Sequence, residues 1–330
     1  MKKFFVLTFV TVFSISLYAQ DATLKDIQSS AQKDINPVND TTFKQGWRKG
    51  ALIGITLTQI SNSNWVAANG DAFSLSVSGT VNAFAVEKWG NHSWSNTLTV
   101  NYGIVNTTTL GVRKVNDLLD YLTQYNYKPE KWKKVSFSLL GELRSQVTSG
   151  YDYNYFNTGF KRRISGFFAP AYITVSPGIS WQPNSWFSLF GSPAAIRWTI
   201  VSNGPYSYDS LGGEFYGNKE TALATLYGVD PTKQILTQFG AFVSMNIKKE
   251  IAKNVVYIGV LQLYSNYLSS PKDVALFSTN QIQMKVNKWL NVNYEIDFLD
   301  DNNIKQATAP TNAVGLQVLS TLGVGLSAKF

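Results

Sequence analysis

The sequence predicts an all-β fold: a transmembrane, antiparallel, up-and-down β-barrel of about 12 strands, with short periplasmic turns and longer extracellular loops. Three observations predict it. From Trp47 onward, segment after segment alternates apolar with small or polar residues, a period of two that marks strands with two unlike faces. Charged residues make up only 15% of the chain and aromatics 14%, yet the mean hydropathy is −0.09. A barrel produces that combination because only alternate residues meet lipid, whereas a helical membrane protein is strongly hydrophobic throughout. Finally, seven of the nine tryptophans (Trp47, Trp89, Trp94, Trp132, Trp181, Trp186 and Trp289) fall at or beside one edge of the expected sheet. An amphipathic ring prefers the lipid headgroup level, so they read as an aromatic belt.

The N-terminus reads as a targeting segment. Residues 1–19 carry Lys2 and Lys3, an apolar run from Phe4 to Leu17 and then Tyr18-Ala19, the pattern of a secretory signal peptide. A membrane anchor is the alternative, but the run is short and polar sequence follows. Residues 20–46 are polar and include Pro37; they read as a periplasmic N-terminal extension. The barrel is expected over 47–330. Loss of the two leading lysines lowers the formal charge from +8 by two, to +6. Export argues against nucleic acid as the partner of this basic chain and for outer-membrane lipid and lipopolysaccharide phosphates. The chain has no cysteine, which excludes disulfides, thiolate metal sites and a thiol nucleophile together.

The strands follow in order. In the first, Ile53, Ile55 and Leu57 oppose Gly54, Thr56 and Thr58. A loop with Asn69-Gly70, a strong hairpin signal, leads to the second, where Phe73, Leu75, Val77 and Val81 oppose Ser74, Ser76, Ser78 and Thr80. Gly90-Asn91 turns into the third, with Leu98, Val100 and Tyr102 on one face. The fourth carries Leu119, Tyr121, Tyr125 and Tyr127 and turns at 128–131; the fifth presents Val135, Phe137 and Leu139 outward. A long loop is expected over 149–170. The sixth strand alternates through Ile173, Val175 and Ile179. The seventh changes phase between Leu189 and Ile196, so an extra residue, a β-bulge, is expected near Gly191 to Pro193. The longest loop spans 202–234, and within it 219–227 could form a short helix folded inward as a plug, which the sequence leaves open. Strands then run over 239–247, 255–267, 274–288, 291–298 and 314–330.

An even strand count returns both termini to the side with short turns, the asymmetry of a bacterial barrel. In the last strand Leu322, Val324, Leu326 and Ala328 share parity with the terminal Phe330. A closing strand that ends in Phe resembles the terminal signal of outer-membrane barrels, which implies recognition by the barrel-assembly machinery. Alternation alone does not separate such a barrel from a soluble sandwich. The scarcity of Lys and Glu on the second face does, because a sheet facing water carries more charge.

On this parity the lumen holds Asp120, Glu142, Arg144, Arg197, Lys285, Glu295, Asp297 and Lys329, four charges of each sign. Lys285, Glu295 with Asp297, and Lys329 lie on three consecutive strands and are candidates for a cross-strand ionic cluster. Such charges either sort solutes at a constriction or neutralise one another and brace the wall; balanced signs favour bracing.

The segments SNSNWVAANGDAFSLSVSGTVNAF and NHSWSNTLTVNYGIV, and then LTQYNYKPEKW, FFAPAYITVSPGISWQPN, LYSNYL and LGVGLSAKF, resemble a family of Bacteroidetes-type outer-membrane barrels catalogued as domain of unknown function 3078. Asn69 stands where a second glycine is expected. The resemblance implies an outer-membrane location and barrel architecture. It carries no activity or functional residues.

Catalytic chemistry is sparse. The single histidine, His92, lies in a short turn and reads as a solvated surface residue, not the base of a rim hydrolase. Asp300-Asp301 lacks a spaced third ligand for a cation, and no cofactor motif occurs. Lys161-Arg162-Arg163 reads as an external-loop cluster, either solvated or in contact with lipopolysaccharide. Two functions remain ahead of a hydrolase: a passive channel for small polar solutes, or a structural or accessory barrel that binds protein partners in a cell-envelope complex.

Overall fold

The computed structural model describes residues 45–61, 73–107, 111–155, 160–201, 223–230, 233–287, 290–302 and 315–329. The expected signal peptide, nearly all of the extension and Phe330 lie outside the described residues. No helix among the described residues is long and apolar enough to cross a membrane.

Twelve antiparallel strands close into a barrel. In chain order the strands are β1 (Gly46–Ser61), β2 (Phe73–Trp89), β3 (His92–Thr107), β4 (Gly111–Tyr127), β5 (Val135–Ser145), β6 (Gly150–Tyr155), β7 (Phe160–Ser165), β8 (Ala171–Asn184), β9 (Phe187–Ile200), β10 (Ile235–Ala252), β11 (Val255–Asn266), β12 (Val274–Lys285), β13 (Leu290–Asp300) and β14 (Gln317–Lys329). Each barrel strand pairs with its neighbour, β5 with β8, and β14 returns to β1 through Leu52↔Lys329 to Thr56↔Gly325. Closure gives every barrel strand a partner on both sides, as backbone polar groups in hydrocarbon require, the β1–β14 seam being the shortest at five residue pairs.

Which face looks outward is decided by exposure. Ile53, Ile55 and Leu57 on β1 are 46%, 55% and 58% exposed. On β3, by contrast, Ser95, Thr97, Thr99 and Asn101 are buried between the outward-facing Trp94 and Tyr102. A soluble barrel reverses this, with aliphatic side chains in its dry centre and hydroxyls in water. An apolar exterior around a polar interior belongs in a bilayer, so the molecule is an outer-membrane β-barrel.

The short turns lie at one end. Gly90-Asn91 closes β2 to β3, Ser185-Trp186 closes β8 to β9, and Lys253-Asn254 closes β10 to β11, with Gly90 and Asn254 at positive φ as tight hairpins require. Two features at the other end depart from expectation. Residues 149–170 are not simply a loop, because β6 and β7 pair there as a separate two-stranded hairpin. And β4 starts at Gly111, so only 108–110 separate it from β3. The polar run Arg113 to Asp117, ahead of Leu119, belongs to the ladder too, with the register shifting between Gly103 and Ile104; above the membrane a strand has no need of apolar residues.

The phase change in the seventh expected strand is a bulge. The β9–β10 register slips between Gly240↔Ala195 and Phe242↔Ser192, so Pro193 sits where no ladder donor is needed. Pro177 on β8 faces the same gap, and the Ser192 hydroxyl donates to its carbonyl at 2.6 Å. The strands approach closely here. A Cβ on Gly178 would lie 2.2 Å from the Gly191 carbonyl oxygen, and one on Gly240 would lie 1.7 Å from that of Ser265.

Candidate functional site: the lumen and its periplasmic vestibule

The inner wall is built from the second parity of each strand. Neighbouring short polar side chains satisfy one another across the ladder. Ser138 donates to Asn126 at 2.6 Å and shares a hydrogen bond with Ser180 at 2.7 Å, while Gln124 donates to Ser180 at 3.2 Å. Thr99 on β3 donates to Asn82 on β2 at 2.8 Å, further along the same side of the wall. Among these side chains Gln124, Asn126 and Ser180 line a cavity of about 520 Å³ that opens at the short-turn end, between Lys88, Lys128 and Lys133.

The cavity ends on Leu122, Leu140, Phe190 and Phe242, which pack with Ala195 and Tyr264 as one buried apolar layer. The layer is contributed by β4, β5, β9, β10 and β11, which together with β8 form one continuous half of the barrel wall. The sequence carries the signal for it: Leu140 stands between Ser138 and Glu142, and Phe242 between Gly240 and Ser244, both on the polar parity of their strands. Attention to the apolar parity passes over them.

Charges lie beside this layer and beyond it: Glu142 stands opposite Leu122 and also lines the cavity. Arg144 is opposite Asp120 in the β4–β5 register; its Nε donates to Asp120 at 3.2 Å and a terminal nitrogen to Glu142 at 2.6 Å. Asp120 is 1% exposed, so a guanidinium bridging two carboxylates is what allows the charges to sit there. The Arg197 guanidinium stacks 4.0 Å from the centroid of Tyr264.

The other expected lumen charges do not join these. Glu295 is buried and accepts a hydrogen bond from Gln281 at 2.9 Å. Lys285 is exposed and opposite Asn291, four residues along β12 from Gln281, or roughly 13 Å at strand rise. Lys329 pairs in register with Leu52, whereas Glu295 pairs with Thr321, eight residues earlier on β14. A single ionic cluster of Lys285, Glu295 and Lys329 is therefore not formed by register, because residues on consecutive strands meet only at one height. Asp297 stands opposite Thr279; its side chain and that of Lys329 lie outside what the structure describes.

The belt is present at the short-turn edge. Trp47, Trp89, Trp94, Trp132, Trp181 and Trp186 are all exposed, and the Lys49 and Lys249 ammonium groups lie about 5 Å over the rings of Trp47 and Trp186. Trp289 lies outside the described residues. His92 joins this belt and also lines the mouth of the cavity. Its ring stacks on Trp89 at 5.6 Å, contacts Tyr127 at 5.0 Å and shares a 2.5 Å hydrogen bond with the Tyr125 hydroxyl.

At the external end Asp117 pins the chain that leaves β5. Its carboxylate accepts from the backbone amides of Val147 and Thr148 and from the Thr148 hydroxyl, each at 2.7 Å, and from Lys114 Nζ at 3.1 Å. A short 3-10 helix, Leu223–Tyr227, packs with Ala169, Val201 and Val229. Val201 shares parity with the lumen-facing Arg197 and Thr199, so the helix lies at the inner side of the external mouth. Arg163 on β7 is half-buried, not solvated. Among the described residues no group of His, Cys, Asp and Glu is arranged to hold a metal ion.

With the barrel and its lumen described, comparison with known proteins adds one name. Residues 57–151 match the family described as Protein of unknown function (DUF3078). The match covers β2 to β5 with the end of β1 and the start of β6. No curated protein matches the chain. Similar solved structures include the translocator domain of the autotransporter NalP from Neisseria meningitidis, at TM-score 0.44 and 8% identity over 88% of this chain and 90% of that one. The NanC porin follows at TM-score 0.34 and 12% identity, over 85% of this chain and 100% of that one. Outer membrane phospholipase A from Escherichia coli is similar at TM-score 0.32 and 8% identity, over 92% and 96%. The assignment of a closed barrel rests on the hydrogen-bonded ladder itself.

Proposed function

We propose that this barrel is a channel for small polar solutes, held in a closed conformation by the apolar layer across its lumen. One observation carries the reading: the inner wall of Ser, Thr, Asn and Gln forms a cavity of about 520 Å³ open at the periplasmic end and stopped by Leu122, Leu140, Phe190 and Phe242. A hydrophobic constriction gates by excluding water, so few side chains need to move to admit it. The reading is non-enzymatic. His92 stacks in the belt at the rim of the cavity, and its hydrogen-bond partner is a tyrosine hydroxyl rather than a serine or a carboxylate.

Single-channel recording in planar bilayers tests this. The wild-type barrel is expected to show rare openings, and the pair Phe190→Ala with Phe242→Ala to open often. A double variant no more conductive than wild type sinks the channel reading. One observation favours the alternative of an accessory barrel: Asp117 holds the chain at the root of the β6–β7 hairpin by three hydrogen bonds, as a fixed external platform requires. Purification in mild detergent would then recover stoichiometric protein companions.

A further inference from the structure

We propose that the periplasmic vestibule is a binding site for small amphiphilic anions: a carboxylate, or comparable anionic head, on a short aryl or alkyl body. The assignment rests on the channel reading for its biological sense and names the solute class.

Three properties of the cavity coincide. The mouth is cationic: Lys88, Lys128 and Lys133 line it, and of the two lining carboxylates Glu142 is already engaged by Arg144 at 2.6 Å. Only Glu130 opposes them. The field extends beyond the lining, since the turn from Lys128 to Lys134 holds four lysines against that one glutamate and the turn from Lys248 to Asn254 three against Glu250. A cleft edged by one sign of charge concentrates the opposite ion at its entrance. The walls are neutral hydrogen-bonding groups, Gln124, Asn126, Ser136 and Ser180 among them. The inner end is aliphatic and aromatic, formed by the layer already described.

A purely polar solute gains nothing from that apolar end, and a purely apolar one gains nothing from the lysines. An amphiphilic anion uses both, its head at the mouth and its body against Leu122 and Phe242. At about 520 Å³ the cavity is in the range of small-molecule sites.

The test uses the mature barrel in nanodiscs of zwitterionic lipid, with empty nanodiscs subtracted, and three probes of one body: 4-phenylbutyrate, 4-phenylbutanol and 4-phenylbutylamine. Isothermal titration is expected to show the carboxylate binding roughly tenfold more tightly than the amine. The preference should fall as salt rises. The variant Lys88→Gln/Lys128→Gln/Lys133→Gln leaves the barrel ladder intact and should abolish the preference while retaining weak binding of the alcohol. Leu140→Trp, which fills the inner end, should weaken all three probes; heat-modifiable mobility on gels reports whether either variant has folded. Equal or tighter binding of the amine overturns the proposal, and so does a charge preference that survives the triple lysine variant. Recording from the Phe190→Ala/Phe242→Ala barrel separates the two claims. Binding without conductance leaves the site standing and removes the channel, whereas conductance with no preference for 4-phenylbutyrate removes the site alone.

Discussion

Arg144 carries more of the lumen than any other side chain described. It bridges Asp120 and Glu142, whose side chains are 0% and 11% exposed, so removing it takes away a cation that both carboxylates share. Arg144→Met is expected to destabilise the barrel by about 3 kcal/mol, read from urea unfolding in lipid, and Asp120→Asn with Glu142→Gln in the same background should recover most of the loss. A triple variant as unstable as the single one would mean that packing, not charge, is at stake. The parity of β4 and β5 made the meeting of these residues legible in sequence, since Glu142 and Arg144 are two apart on one face. That Asp120 is opposite Arg144 was not legible, because register is set by the turn and by the neighbouring ladder. His92 shows the same limit. Its turn position was plain, but its stacking among Trp89, Tyr125 and Tyr127 depends on strands whose heights only the fold aligns.

Among the elements, the paired bulge and the external hairpin are the informative ones. At the β10–β11 approach, Gly240→Val places side-chain atoms against the Ser265 carbonyl. It is expected to cost about 1–3 kcal/mol and to lower the temperature at which the folded band converts on a heated gel; an unchanged transition would show that the strands can separate there without cost. Asp117→Ala removes the acceptor for two backbone amides and a hydroxyl, a loss of about 1–3 kcal/mol confined to one end. The expected outcome is faster trypsin cleavage at Lys161, Arg162 or Arg163 with the barrel transition nearly unmoved. The bulge was readable because a phase change in apolar parity demands an extra residue. The hairpin was not: β6 and β7 are six residues each and carry charges and tyrosines in place of clean alternation, since no bilayer acts on them.

The whole barrel is oriented by its belt. With Trp47, Trp89, Trp94, Trp132, Trp181 and Trp186 exposed at one edge, fluorescence should be quenched more by lipid brominated near the headgroup than by lipid brominated at the chain ends. Stronger quenching from the bilayer centre would contradict the placement. The class of the molecule, its strand count, its bulge and its outward face follow from the bare sequence, because hydrocarbon imposes an apolar residue at every second position and that period is written locally. Which side chains form the apolar layer in the lumen was decided only by the tertiary structure. Leu122, Leu140, Phe190 and Phe242 come from four strands up to 120 residues apart, and no local pattern records that their side chains meet. Closure and register bring them to one height, and with them the vestibule and the neighbouring charges.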